Sequence, residues 1–196
     1  MSYPLLNPPD WAAVDERLAE QGQQLVKEAD DPQTVYCLTG RLYLSASGWL
    51  LLSVPNALAR GAFEALDEPG IELPPDFSAH VSVARPSEVE QMGGGARVSE
   101  RGKTFTYNLG PLKTVKPLGW SDVSRVWFLS VNSPELQAFR RSYGLPSLPT
   151  TEGGKELPFH LTVAVRKKTV LNDNEVSKAA AMLTVDPELT RLLFSY

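Results

Sequence analysis

The sequence is poor in cysteine and histidine and contains no long apolar run. Of its 196 residues, one is cysteine and two are histidines. Cys37 alone cannot form a disulfide within the chain or build a cysteine-ligated metal cluster, and it is compatible with a reducing cytoplasm. No apolar run approaches the ~20 residues that span a bilayer, and MSYPLLNPPDW lacks the basic start and apolar core of a signal peptide. We therefore expect a cytoplasmic protein with no membrane partner.

The charge of the chain limits its partners. The formal net charge is −4, which argues against tight binding of long duplex nucleic acid, because such binding depends on many phosphate contacts. Residues 10–31 carry seven acidic and two basic side chains, whereas residues 85–116 carry six basic and three acidic ones. This local basic region suits a small phosphorylated ligand, and a solvated loop with scattered charges explains it equally well.

Hydrophobic periodicity predicts alternating helices and strands. A helix is expected over about 10–30, followed by the strand pair TVYCLTGRLYLS and GWLLLSV. Asn56 resembles an N-cap for the next helix, ALARGAFEAL. Further along, RVWFLSV predicts a strand, and Ser133 with Pro134 predicts the start of a helix that Gly144 ends.

The two halves of the chain resemble each other. LLLSV at 50–54 matches WFLSV at 127–131, and each is followed by a helix, a proline-rich loop and a strand that begins with histidine. The offset between the copies is 77 residues at the strand and 80 at the histidine. Such self-similarity indicates a duplication. We expect one domain over residues 1–196, built from intertwined halves of about 34–118 and 119–196.

Both histidines occupy the same kind of strand. Alternation puts His80 and Ser82 on one face of the strand AHVSVA, and it puts His160 and Thr162 on one face of the strand FHLTVAV. The opposite face of each strand is apolar. Residues i and i+2 lie about 6–7 Å apart, so one phosphate can touch both imidazole and hydroxyl. If the halves are related by an approximate twofold axis, both strands face one groove.

Two imidazoles supply the chemistry that phosphodiester cleavage needs. One group must activate the attacking oxygen and another must protonate the leaving oxygen, and histidine does both near neutral pH. A lone histidine on a strand is more often a core or surface residue, but the matched pair favours catalysis. The sequence shows no H-x-x-x-H, no C-x-x-C and no carboxylates clustered near a histidine, so we expect neither a metal nor another cofactor.

The motifs HVSV and HLTV resemble the paired H-x-[ST]-x motifs of the 2H phosphoesterases, which include 2′-5′ RNA ligase-like proteins and cyclic nucleotide phosphodiesterases. The resemblance covers about residues 35–170. It implies an α+β, bilobal, duplicated fold, with two antiparallel sheets flanked by helices around a central cleft. It also implies metal-independent phosphodiester cleavage, with His80 and His160 as the acid/base pair and Ser82 and Thr162 binding phosphate. Which histidine is the acid stays open.

The substrate expected from this resemblance is a small nucleotide. The chain is similar in style to bacteriophage proteins of the anti-CBASS type, which would act in the host cytoplasm on cyclic di- or trinucleotide immune signals. A 2′,3′-cyclic phosphate or 2′-5′ bond at an RNA end is the alternative, and a non-catalytic nucleotide sponge is another. Further substrate contacts could come from Arg85 or from an aromatic side chain on which a base stacks. The aromatic candidates, each of which is also explained as a core or surface residue, are Tyr36, Tyr107, Trp120 and Tyr196.

Overall fold

A computed structural model describes residues 11–27, 36–74, 78–117, 120–150 and 155–168. It contains six strands: β1 (Tyr36–Leu44), β2 (Leu50–Ser53), β3 (His80–Ala84), β4 (Thr104–Val115), β5 (Val123–Asn132) and β6 (His160–Lys167). It contains four α-helices, namely α1 (Trp11–Lys27), α2 (Asn56–Glu64), α3 (Pro86–Gln91) and α4 (Pro134–Ser142), and a 3₁₀ turn at Gly95–Arg97. No helix among these is long and apolar enough to cross a membrane.

The six strands form one closed antiparallel barrel in the order β1-β2-β3-β6-β5-β4. The mixed α and β content and the antiparallel pairing agree with the predicted fold class, but the expectation of two separate sheets is wrong. The two sets of three strands are joined on both sides, because β3 pairs with β6 and β1 pairs with β4.

Strand β4, which closes the barrel, was not predicted from the sequence. Its buried residues Phe105, Tyr107 and Leu109 alternate with more exposed ones, as expected of a strand with one face on a core. The pairing with β5 shifts register between Leu109 and Leu112, so the strand contains an irregularity where its apolar alternation stops. The alternation in TFTYNL was therefore a usable signal.

The strand order of the barrel is symmetric between its first and last three strands. Exchanging β1 with β4, β2 with β5 and β3 with β6 leaves the strand order unchanged apart from its direction. The copies also share a hydrogen bond: Val54 donates its N–H to Ala79 at 3.0 Å, and Val131 donates to Phe159 at 2.9 Å. Each bond links the end of an LSV segment to the residue that precedes a histidine.

One of the two predicted helix caps is confirmed. The Ser133 hydroxyl accepts the Leu136 N–H at the start of α4, and Pro134 follows at the first helical position. Asn56 is not an N-cap, because Pro55 occupies that position and no side chain caps α2. The Asn56 Oδ1 instead accepts the N–H of Ala79 at 2.8 Å, which fixes the backbone just before His80.

The main core lies where the apolar faces of the strands meet the helices. Fully buried strand residues such as Leu52, Val81 and Leu161 belong to one cluster with Leu58 of α2 and Leu136 of α4. Burial of this apolar surface, at about 25 cal/mol per Å², holds the helices on one side of the strands. The opposite strand face is left to form the cleft.

Helices α1 and α2 pack against each other at backbone contact distance. A β-carbon at Gly61 would lie 1.9 Å from the carbonyl oxygen of Ala19, and one at Gly22 would lie 2.0 Å from that of Leu58. The predicted N-terminal helix therefore docks on α2 through two glycines. It starts at Trp11 and ends at Lys27, and its predicted end near residue 30 lies outside the described residues.

Candidate functional site

The two histidine strands are neighbours in the barrel. Strands β3 and β6 pair antiparallel with Val81 opposite Leu161, and both of these side chains are buried in the core. Continuing this register by one residue in each direction places position 80 opposite 162 and position 82 opposite 160. These four residues lie on the strand face opposite to Val81 and Leu161. Each imidazole thus lies across from the hydroxyl residue of the other strand. We call His80, Ser82, His160 and Thr162 the quartet.

The two imidazoles are oriented in the same way. His80 Nδ1 lies 2.6 Å from the carbonyl oxygen of Ser78, and His160 Nδ1 lies 2.9 Å from that of Pro158. A carbonyl oxygen only accepts, so each bond requires a proton on Nδ1 and leaves Nε2 to accept or donate a proton. The Phe128 ring also contacts His160 edge-on, with centroids 5.3 Å apart.

Two adjoining cavities share His80 and Thr162 of the quartet. The first arm of this cleft has a volume of about 560 Å³ and is lined by all four quartet residues. The second arm, of about 1050 Å³, shares the walls His80, Thr162 and Trp120 with the first. A ligand whose phosphate contacts His80 and Thr162 can therefore extend into either cavity.

Each arm carries balanced charge. Among the described lining residues, the first arm has Arg85 and Glu88 as its only cation and acid other than histidine. The second arm has Lys167 and Asp122. The cleft therefore has no excess of positive charge for a chain of many phosphates.

Apolar side chains are exposed chiefly in this cleft. In the described part of the chain the exposed large apolar residues are Trp49, Trp120, Leu157 and Val115. The first three line the first arm, and Val115 does not. Because exposed apolar surface that is concentrated in one groove marks a binding site, these residues are candidates for ligand contact.

Trp49 was not identified from the sequence. It precedes β2, and the Ser45 hydroxyl fixes the preceding turn by accepting the Trp49 N–H at 3.0 Å. Leu50 and Leu52 are fully buried, so alternation sends Trp49 and Leu51 to the opposite face, where Leu51 pairs with Ser82. Because residues 49–52 are all apolar, no alternation in the sequence separates the cleft face from the core face, and only the structure places Trp49 in the cleft.

The fold places two of the other predicted contact residues in the cleft. Arg85 and Trp120 line the first arm. Tyr36 lies outside the lining of both arms and donates its hydroxyl to Gln24 Oε1 at 2.7 Å. Tyr107 is buried in the core, where burial raises its pKa. Tyr196 lies outside the described residues.

A buried ion pair lies behind the first arm and was also missed. Arg140 Nη2 lies 2.7 Å from Glu88 Oε1. Burial by itself would raise the pKa of Glu88. The hydrogen bonds from Arg140 and from the Arg85 N–H, together with both guanidinium charges, outweigh burial and hold this pKa below its ordinary value. Glu88 is therefore ionised at neutral pH.

Within the described ranges, no group of three or more His, Cys, Asp or Glu side chains is placed to hold a metal ion. The donors that line the cleft are instead imidazoles, hydroxyls, the Arg85 guanidinium and the Lys167 ammonium. Imidazoles transfer protons, and hydroxyls and guanidinium donate hydrogen bonds to phosphoryl oxygens. Groups of these types can bind a phosphoryl group and exchange protons with it.

Duplicated strands carrying two H-x-[ST]-x motifs in one cleft define a class of phosphoesterase. A family model described as Swiss Army Knife, 2H phosphoesterase domain matches residues 49–171. The match covers more than half of the chain and includes both motifs, so the protein belongs to the 2H phosphoesterases. Membership supports an activity of the phosphodiesterase type. No curated protein and no solved structure matches the chain significantly.

Proposed function

We propose that this protein cleaves a phosphodiester bond in a small nucleotide by metal-independent acid/base catalysis, with His80 and His160 as the proton-transferring pair. The observation that carries the proposal is the matched geometry of the imidazoles. They lie on adjacent strands of one cleft, and both Nδ1 atoms bond to main-chain carbonyls. Both Nε2 atoms are thereby left for the reaction.

In the proposed reaction, one imidazole accepts the proton of the attacking oxygen, from water or a neighbouring ribose hydroxyl, as the new P–O bond forms. The other donates a proton to the leaving oxygen as its bond to phosphorus breaks. Ser82 and Thr162 donate hydrogen bonds to the phosphoryl oxygens, on which negative charge is concentrated. Two histidines serve both proton transfers, so no step is assigned to a metal.

The substrate we propose is a cyclic oligonucleotide of two or three nucleotides. Two adjoining arms give room for more than one nucleotide, and the exposed indoles of Trp49 and Trp120 offer stacking surfaces for bases. The balanced charge of the lining suits a ligand with few phosphates. A 2′,3′-cyclic phosphate or 2′-5′ bond at an RNA end is the alternative substrate, and it would fill one arm.

The proposed biological setting is the host cytoplasm, where a protein of the bacteriophage anti-CBASS type would destroy cyclic oligonucleotide immune signals. This setting rests on the sequence resemblance and on the proposed substrate. No residue of the site is assigned from this setting.

The activity is tested by incubation with cyclic dinucleotides, cyclic trinucleotides, 2′,3′-cyclic mononucleotides and 2′-5′-linked dinucleotides in excess EDTA, with products identified by mass spectrometry. We expect linear products from the cyclic oligonucleotides. Cleavage of the mononucleotides or of the 2′-5′ dinucleotides alone would support the RNA-end alternative. Tight retention of intact ligand without turnover would identify a sponge and overturn the proposed catalysis.

Replacing Trp49 with alanine is expected to raise KM for a cyclic dinucleotide about 5- to 150-fold with kcat little changed, because stacking is worth about 1–3 kcal/mol per base. Steady-state kinetics measures both constants. Val115→Ala is the matched control, since Val115 is exposed but lies outside the cleft lining. With an analogue that lacks bases, Trp49→Ala should leave KM almost unchanged. An equal rise in KM for both substrates would contradict the assignment of Trp49 as a stacking residue.

A further inference from the structure

Arg140 is a fully buried charged residue that the proposed reaction does not use. It lies in α4 with an exposure of 0% and lines neither arm of the cleft. All three guanidinium nitrogens donate to main-chain carbonyls: Nε to Pro146 at 2.8 Å, Nη1 to Val83 at 2.5 Å and Nη2 to Leu148 at 3.2 Å. Arg140 thus joins α4 to strand β3, beside Ser82, and to the segment 146–148.

The same guanidinium forms a two-bond pair with Glu88. Nη2 donates to Oε1 at 2.7 Å and Nη1 to Oε2 at 3.3 Å. Paired bonds of this kind fix orientation as well as distance. Glu88 is only 6% exposed, yet it belongs to the lining of the first arm. The ion pair therefore reaches from the core to the wall of the cleft.

Glu88 also holds Arg85, the cation of the first arm. Its Oε2 accepts the Arg85 N–H at 3.0 Å and lies 3.9 Å from Arg85 Nε. At its far end Arg85 donates from Nη2 to the carbonyl oxygen of Thr150 and, at 3.1 Å, to the Thr150 hydroxyl. A continuous network runs from Arg140 through Glu88 and Arg85 to Thr150, which also lines the cleft.

Stability alone gives a poor account of this network. Burying a charged pair costs desolvation, and well-packed apolar residues of similar volume are often equally stabilising. The ion pair adds fixed geometry. Because Arg140 also bonds to Pro146 and Leu148, it constrains both Arg85 and the segment that leads to Thr150.

We propose that Arg140 is a positioning residue. From its place in the core it fixes Glu88, and Glu88 in turn fixes Arg85 in the wall of the first arm. The effect of Arg140 on turnover rests on the proposed function, whereas its effect on Arg85 does not. Lysine cannot replace it, because a single ammonium cannot make the planar two-bond pair and also donate to three carbonyls in different directions.

The positioning role is tested first without substrate. We expect Arg140→Lys to increase the mobility of Arg85, measured as a fall in the ¹⁵N–¹H heteronuclear NOE of its Nε, in a protein whose other amide signals show a retained fold. Arg141→Lys is the matched control, because it makes the same change at the exposed neighbouring residue. If Arg140→Lys does not fold, Glu88→Gln breaks the network at its centre and should give the same result. An unchanged Arg85 signal in a folded variant overturns the proposal.

Turnover provides the second readout. Because Arg85 lines the first arm and would contact the ligand there, Arg140→Lys is expected to lower kcat/KM by up to about 10²-fold, the scale of a misplacement of about 1 Å in a site. In an Arg85→Ala background the same change should cost less than about threefold, because Arg85 is no longer there to be positioned. Equal losses in both backgrounds would show that Arg140 does not act through Arg85. If the wild-type protein cleaves no substrate of the panel, the proposed function fails, and the Arg85 NOE still decides the positioning role.

Discussion

Replacing His80 or His160 with alanine is expected to lower kcat by about 10²–10⁴-fold, because each variant loses one of the two proton transfers. The double variant should be little slower than the worse single variant, since residues that act as a unit are not additive. Steady-state kinetics on the best substrate of the panel measures both effects. The wild-type pH–rate profile should be bell-shaped, because one imidazole must be neutral while the other is protonated.

Two controls separate lost chemistry from lost structure. Asparagine at either position retains a donor close to where Nδ1 lies, so it can keep the bond to Ser78 or Pro158 but cannot transfer a proton. It should be as inactive as alanine and as stable as the wild type. Added imidazole should partly restore the alanine variants. Activity of the double variant within tenfold of wild type would contradict the assignment of both histidines.

Gly61→Ala is expected to destabilise the protein by about 3 kcal/mol, at the upper end of what overpacking costs. The new β-carbon would lie 1.9 Å from the carbonyl oxygen of Ala19 and 2.6 Å from its carbonyl carbon. These are backbone atoms of α1, so no side chain can rotate to make room, and the two helices must separate. Urea unfolding followed by circular dichroism measures the change.

The neighbouring Arg60 provides the control for Gly61. Arg60 is exposed on the same helix, so Arg60→Ala should change the free energy of unfolding by less than about 0.5 kcal/mol. Gly22→Ala, on the other side of the contact, should behave like Gly61→Ala, because its β-carbon would lie 2.0 Å from Leu58 O. A Gly61→Ala protein as stable as the wild type would show that α1 does not dock on α2 in this way.

Local patterns in the sequence predicted several elements well. The offset between LLLSV and WFLSV is matched by equivalent hydrogen bonds at Val54 and Val131. Ser133 caps α4 as its position before Pro134 predicts. Asn56 has the same capping chemistry but bonds to Ala79 instead, since a side-chain acceptor takes whichever donor the fold brings near, and sequence spacing shows only the local ones.

Tyr107 and Trp120 show why only some of the predicted aromatic residues line the cleft. Both are aromatic residues in polar surroundings, so composition treats them alike. Tyr107 lies on the buried face of β4 between Phe105 and Leu109, and Trp120 lines both arms of the cleft. The strand alternation around Tyr107 could have indicated a core position, whereas no local pattern places Trp120 beside residues that lie about 40 positions away.

The sequence by itself determined that His80 shares a strand face with Ser82 and that His160 shares one with Thr162, because strand alternation is a property of the backbone of each segment. It also determined that this unit occurs twice. Only the tertiary structure decided that β3 and β6 are adjacent, that β4 closes one barrel, and that Arg140 reaches the cleft wall through Glu88. Those features depend on contacts between segments far apart in the chain, and such contacts are fixed by packing of the whole core.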